Sequence, residues 1–231
     1  MSLRRRFCRP NRGAGHPFRA RYGTGGLRSL LLIVAFALSV AGTGGAQAAP
    51  VIVVYGDSLS AGYGLGRGQD YVSQMQRALD RRGVAARMVN RSRSGRTSAG
   101  GRRALGSIPS NADAVIVQLG GNDGLRGVPA ARLRSNLDGI LTRLRRRGLD
   151  LMLIGIGTPE RRGASYDRAF RTAYGALARK HGAILVPNFL DGVYGNPSLV
   201  LRDRIHPNAR GVARMVSRTL PQVVRLARRA R

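Results

Sequence analysis

Cysteine, histidine and lysine are nearly missing from this chain of 231 residues, and each shortage removes a class of chemistry. The one cysteine, Cys8, lies in an N-terminal segment that reads as a leader. The rest of the chain therefore has no disulfide, no cysteine nucleophile and no cysteine-built metal site, and its stability must come from a buried core. Of the three histidines, His16 shares that segment, leaving His181 and His206. Two are too few for a histidine-built zinc site and enough for one general base. Lys180 is the only lysine, so the positive charge is almost all arginine. Acids are scarce as well: 11 Asp and Glu against 40 Lys and Arg, a formal charge of +29.

Residues 1–28 carry eight arginines and no acid, and Ser29 to Ala41 is an uncharged apolar run. Ala46-Gln47-Ala48 follows as a small-residue cleavage pattern, so residues 1–48 read as a secretory leader cut near Ala48 or Ala49, with residues 49–231 as the exported domain. The apolar run is short for a span of ~20 residues, which disfavours an uncleaved anchor. The arginine-rich part is long for a leader, so translation starting downstream of Met1 stays open. Export to the periplasm or beyond is the expectation.

Without the leader, 32 basic residues face 11 acids, a net charge of +21. Such an excess raises nucleic acid or an anionic membrane surface as partners. The arginines are spread through every predicted helix instead of forming one tract, which argues against a specific nucleic-acid role and leaves attraction to anionic lipid.

The chain is organised around Val51 to Leu65, VIVVYGDSLSAGYGL. Four β-branched residues and Tyr55 suit a strand covered on both faces, and Gly56-Asp57-Ser58 is where it turns into a helix. An ordinary Asp/Ser helix cap would look the same. Far along the chain, Asp203 and His206 stand three positions apart before Pro207. A serine hydroxyl is a weak nucleophile until a base takes its proton, and the base works best when a carboxylate orients it. Ser58, His206 and Asp203 supply one of each.

Between them, apolar strands alternate with helical patterns. Further strands are expected at Val84–Val89, Ala112–Leu119, Leu149–Gly157 and Ala183–Val186. Helices are expected around Val72–Leu79, from Pro129 to Gly148, around Phe170–Leu177 and from about Pro207, with Pro221 kinking the last or starting a short terminal helix. Asn90 to Gly101 reads as a polar loop and Gly120 to Gly124 as a turn. Five strands alternating with helices predict one three-layer α/β domain with a parallel sheet, whose ligands bind beyond the carboxyl ends of the strands. Ser58, Gly95 and Asn122 follow the first three strands and the Asp203–His206 loop follows the fifth, so all would meet on one rim. The N–H of Ser58, the N–H of Gly95 and the Asn122 amide are then candidate donors to an oxyanion. Taken singly, Gly95 reads as a turn glycine and Asn122 as a turn former.

These residues resemble the four blocks of the SGNH, or GDSL, hydrolases: Gly56-Asp57-Ser58-Leu59-Ser60, Gly95, Gly120-Gly121-Asn122-Asp123 and Asp203-Arg204-Ile205-His206-Pro207. The resemblance spans Val51 to Leu220. It is strongest to the subgroup of periplasmic acyl-CoA thioesterases/lysophospholipases and arylesterases, which share GDSLSAGYGL and LGGNDGLRG. It implies Ser58 as nucleophile, His206 as base, Asp203 as its orienting acid, and Ser58, Gly95 and Asn122 as the oxyanion hole. It also implies a five-stranded flavodoxin-like sheet, no metal and no cofactor, and a small acyl ester or lipid as substrate. The family binds acyl chains along the loop after its third block, which makes Gly124, Leu125, Thr158 and Pro159 the expected groove residues. Two positions depart from the subgroup: Arg96 stands where an acid is frequent and Arg204 where a glycine is, so a more cationic entrance is expected. Asp57 and Asp123 are read as loop braces and His181 as structural. Two other readings fit the same residues: a carbohydrate O-acetyl esterase on the same fold, and a cationic surface-binding protein with a vestigial hydrolase site.

Overall fold

The computed structural model describes residues 48–158 and 162–230, so residues 1–47 of the expected leader and Pro159 lie outside the described residues. Five strands, β1 (Val51–Gly56), β2 (Arg87–Asn90), β3 (Ala114–Gln118), β4 (Asp150–Ile154) and β5 (Ile184–Val186), form one all-parallel sheet in the order β2-β1-β3-β4-β5. Every residue of β1 and β3 is buried, as a sheet covered on both faces requires. That strand order reverses direction between β1 and β3, and the crevice outside a parallel sheet opens at such a switch point.

Among the described residues seven α-helices fill the connections: α1 (Ser58–Ala61), α2 (Tyr71–Asp80), α3 (Ser98–Arg103), α4 (Gly121–Arg126), α5 (Ala130–Arg146), α6 (Ala164–His181) and α7 (Ala209–Arg229). Helix α2 packs on α7, while α3 and α6 pack on α5, giving two helical layers around the sheet. Each long helix turns one apolar stripe inward, Leu133, Leu137, Ile140, Leu141 and Leu144 in α5 and Phe170, Tyr174 and Leu177 in α6. Two buried side-chain contacts tie the layers down: Tyr71 Oη to Thr219 Oγ1 at 2.8 Å between α2 and α7, and Tyr174 Oη donating to Leu119 O at 2.8 Å between α6 and the end of β3.

The structure departs from the sequence expectations at five places, one of them the fourth strand, expected to reach Gly157, which ends at Ile154. The second strand begins three residues late, at Arg87, because Gly83 in a left-handed conformation and an N–H of Val84 returning to Leu79 O still belong to the end of α2. The expected polar loop contains α3, and the expected turn after β3 is helix α4. Pro221 does not start a separate helix: α7 runs through it, because Pro221 lies on the solvent side while Val216, Leu220 and Val223 keep a continuous buried stripe across it. His181 lies in the last turn of α6 as expected, its ring 2.6 Å from Asp138 of α5, and Lys180 reaches the other oxygen of that carboxylate at 2.8 Å. Those two side chains hold the Asp138 carboxyl below the usual range. No helix among the described residues is long and apolar enough to cross a membrane.

Candidate active site

Strand β1 ends by handing Ser58 to a four-residue helix. Asp57 is the cap of that helix, its Oδ1 accepting the N–H of Leu59 at 3.1 Å, and Gly62 closes the helix at φ 86°. A side chain at Gly62 would put its Cβ 2.6 Å from Asp70 Cβ, so the tight turn needs glycine. Gln118, the last residue of β3, braces the turn from beneath: its Oε1 accepts from Ser60 Oγ at 2.7 Å and from Asp57 N at 3.3 Å. Gly56 makes room for it, since a Cβ there would stand 2.7 Å from Gln118 Oε1.

The segment after β5 brings the other partners. Asp203 Oδ1 accepts the backbone N–H groups of Ile205 at 2.9 Å and His206 at 3.0 Å, which folds the four residues into a turn. Its Oδ2 accepts from His206 Nδ1 at 2.7 Å. With Nδ1 carrying the proton, Nε2 is left as the acceptor, and it lies 2.9 Å from Ser58 Oγ. Burial opposes the charge on Asp203, but the hydrogen bonds from the His206 backbone and ring and from Ile205 outweigh it and hold the carboxyl below its ordinary value. Tyr63 lies against the other side of the imidazole, ring centroids 4.4 Å apart.

A cavity of about 510 Å³ opens at this point. Ser58, Gly95, Asn122, Asp203 and His206 all line it, so the structure brings together the five residues expected on the rim. Gly95 has φ +77°, a conformation that favours glycine, and a Cβ there would meet nothing within 4 Å. Its backbone is therefore uncovered where it borders the cavity. Asn122 donates one amide hydrogen to Arg96 O at 3.2 Å, leaving its second N–H for a ligand.

Asp123 is buried and points the other way. Its carboxylate accepts from Ser98 N at 2.8 Å and Ser98 Oγ at 2.5 Å, tying α4 to α3. Asp57 is buried too, and burial raises its carboxyl to about 6; the Leu59 N–H, Gln118 and the nearby His206 act in the opposite direction. Both aspartates brace loops. Among the described residues no cluster of three or more His, Cys, Asp or Glu side chains is arranged to hold a metal.

The sequence profile of the GDSL-like lipase/acylhydrolase family matches residues 54–214. The chain belongs to that family. Esterase TesA of Pseudomonas aeruginosa is 39% identical over 75% of this chain and 88% of its own length. The thioesterase 1/protease 1/lysophospholipase L1 of Escherichia coli K12 is 34% identical over 71% of this chain and 78% of its own. Among solved structures, AlinE4, an SGNH-hydrolase family esterase, superposes with a TM-score of 0.64 at 44% identity, over 77% of this chain and 96% of its own.

Against the family pattern, the two arginine departures behave differently. Arg96 does not face the cavity: its guanidinium lies 4.4 Å from the centre of the Tyr55 ring and donates to Arg91 O at 2.6 Å and Gly56 O at 3.3 Å. That use of its charge on ring and backbone corrects the expectation of a cationic entrance at this position. Arg204 lines the cavity and is exposed, at φ 59° where a glycine would rest without strain. Of the groove residues, Leu125 and Thr158 line the cavity. Gly124 does not; it is buried, and its carbonyl accepts from Arg162 Nε at 3.2 Å. The sequence reading missed Tyr63, Ile156, Leu190 and Tyr194, which also line it. Leu190 and Tyr194 sit in a stretch without periodicity, so nothing in the pattern marks them, whereas Ile156, placed by the sequence inside the fourth strand, stands two residues past its end.

Proposed function

We propose that this protein is an exported serine esterase that hydrolyses carboxylic esters and thioesters through an acyl-serine intermediate. The observation that carries the reading is the hydrogen-bonded relay from Asp203 through His206 to Ser58, opening into a cavity with apolar walls. In this reading Ser58 Oγ attacks the acyl carbon while His206 Nε2 takes the hydroxyl proton and Asp203 stabilises the imidazolium. The charge that develops on the acyl oxygen is met by the N–H groups of Ser58 and Gly95 and by the free N–H of Asn122. His206 then returns its proton to the departing alcohol or thiol. A water molecule, deprotonated by His206, attacks the acyl-serine, and collapse of the second intermediate breaks the bond to Oγ, His206 passing the proton to Ser58 as the acid leaves.

Relatives named esterase, arylesterase and thioesterase/lysophospholipase support ester and thioester substrates. Leu125, Ile156 and Leu190 on the cavity wall favour acyl chains longer than acetyl over acetylated sugars. The export part rests on the sequence of residues 1–48, and the N-terminus of the protein recovered from outside the cytoplasm is expected at residue 49 or 50.

The activity is tested with nitrophenyl esters of increasing chain length. Ser58→Ala and His206→Ala are each expected to remove nearly all hydrolysis with the fold retained, and the double variant to cost no more than either alone, because both residues act in one step. Independent, additive partial losses contradict the shared mechanism. Full activity in Ser58→Ala would remove Ser58 as the nucleophile, and absence of hydrolysis by the unaltered protein would leave a surface-binding protein as the better reading.

A further inference from the structure

Among the described residues the exposed large apolar side chains are Tyr63, Tyr194 and Ile205, at 51%, 52% and 39% exposure, and all three line the one cavity that holds Ser58. They come from three separate segments: the loop after α1, the stretch after β5, and the turn between Asp203 and His206. Scattered surface hydrophobes are ordinary, but apolar side chains gathered on the rim of one opening mark an interaction surface.

Exposed basic residues flank that rim, whose own lining acids are Asp57, which is buried, and Asp203. Arg204 lines the opening, Arg93 precedes Ser94 and Gly95, Arg126 follows Leu125, and Arg202 precedes Asp203; all four are exposed. No ion pair between described residues engages any of them. The nearby acids are already occupied, Asp203 by His206 and Asp191 by Arg218. An amphipathic tyrosine pair with an isoleucine, with Arg204 beside them and three more exposed arginines adjacent in the chain to lining residues, fits the boundary between lipid headgroups and acyl chains, where aromatic rings sit and arginines meet phosphate.

We propose that this rim docks the protein on an anionic lipid surface, with Tyr63, Tyr194 and Ile205 entering the interface and the arginines on the headgroup phosphates. The mouth of the cavity then faces the bilayer, and an acyl ester held in the lipid layer reaches Ser58 without crossing water. Docking goes beyond the esterase reading and does not require it to be correct.

The test is co-sedimentation with phosphatidylcholine vesicles, with and without phosphatidylglycerol, using the exported protein and variants that share its N-terminus. Because the whole chain is cationic, the comparison must be between faces. Arg126→Ser with Arg202→Ser removes two charges at the rim; Arg81→Ser with Arg146→Ser removes two at the opposite end of the sheet, where α2 and α5 finish. The rim pair is expected to weaken binding to anionic vesicles about 25-fold, at about fivefold per arginine near the surface, with hydrolysis of soluble esters unchanged, and the far pair to have a much smaller effect. Tyr194→Ser with Ile205→Ser is expected to lose the binding that survives raised salt. Equal losses from the two arginine pairs, or no loss from the Tyr194/Ile205 variant, would overturn the proposal. So would a short DNA duplex that displaces the protein from vesicles and whose own binding depends on the same rim residues. Ser58→Ala is expected to bind vesicles like the wild type, which separates the two readings: absent binding with intact wild-type hydrolysis removes the docking surface only, and intact hydrolysis in Ser58→Ala removes the Ser58 mechanism only.

Discussion

At the scale of single residues, the chemistry depends on hydrogen atoms held in place before a substrate arrives. Asn122 has one amide hydrogen fixed on Arg96 O, which aims the other, so Asn122→Ala removes one donor to the developing oxyanion. A fall in kcat of about 100- to 1000-fold with KM little changed is expected from ester kinetics. Asp57 makes a different kind of prediction. Its carboxyl is raised from 3.8 to about 6 by burial, so the folded protein holds that proton more tightly than the unfolded chain does. Its contribution to stability is fully present below pH 3.8 and is lost as pH rises through about 6, a loss on the order of 3 kcal/mol. Asp57→Asn keeps an oxygen for the Leu59 N–H and removes the charge. Urea unfolding of this variant is expected to lack that decline between about pH 4 and pH 6. Asp203 acts oppositely, being held below its ordinary value, and withdraws stability only as pH falls further. A variant that tracks the wild type across the window would show that Asp57 is not the group responsible. The triad candidates were legible from the sequence because a serine after a buried strand and an Asp/His pair three residues apart each imply a geometry. Gln118 was not, since a glutamine closing an apolar strand carries no pattern until the fold sets it beneath Ser60.

At the scale of elements, the short helices around the site exist because particular atoms are anchored and not because their sequences favour helix. Helix α3 is SAGGRR, with two glycines and no apolar stripe, which is why it reads as a loop. It forms because Thr97 Oγ1 caps the N–H of Gly100 at 3.1 Å, Asp123 fixes Ser98, and Tyr55 Oη donates to Gly101 O at 2.7 Å. All of these except the cap are long-range contacts that no local window contains. The glycines beside α4 are constrained in the same way: a Cβ on Gly120, at φ +127°, would lie 2.0 Å from the buried Tyr174 Oη. Gly120→Ala is expected to destabilise the protein by about 2–4 kcal/mol and to lower activity through the displaced Asn122, while Gly106→Ala, with nothing within 4 Å, is expected to unfold within about 0.5 kcal/mol of the wild type. Thermal or urea unfolding of the two variants checks this, and equal stability would contradict the packing argument. By contrast α5, α6 and the central strands were readable at once, because their apolar spacing is the same pattern that buries them.

At the scale of the whole molecule, the order β2-β1-β3-β4-β5 is what makes residues 148 positions apart into neighbours. Strands β1 and β3 flank the switch point, so the loops after them and after β2 open on a common crevice, and the segment after β5 returns to it with Asp203 and His206. Alternating strands and helices made the parallel sheet legible, and the rim followed from it. The walls of the cavity did not follow, because Tyr63, Leu190 and Tyr194 come from connections whose paths the periodicity leaves open. The central claim is that this convergence makes Ser58 a nucleophile, and labelling with a fluorophosphonate followed by peptide mass spectrometry tests it most directly. The account predicts one phosphonylated residue, Ser58, with labelling lost in Ser58→Ala and slowed at least a hundredfold in His206→Ala. Label on another residue, or labelling of Ser58 at an unchanged rate without His206, would contradict it.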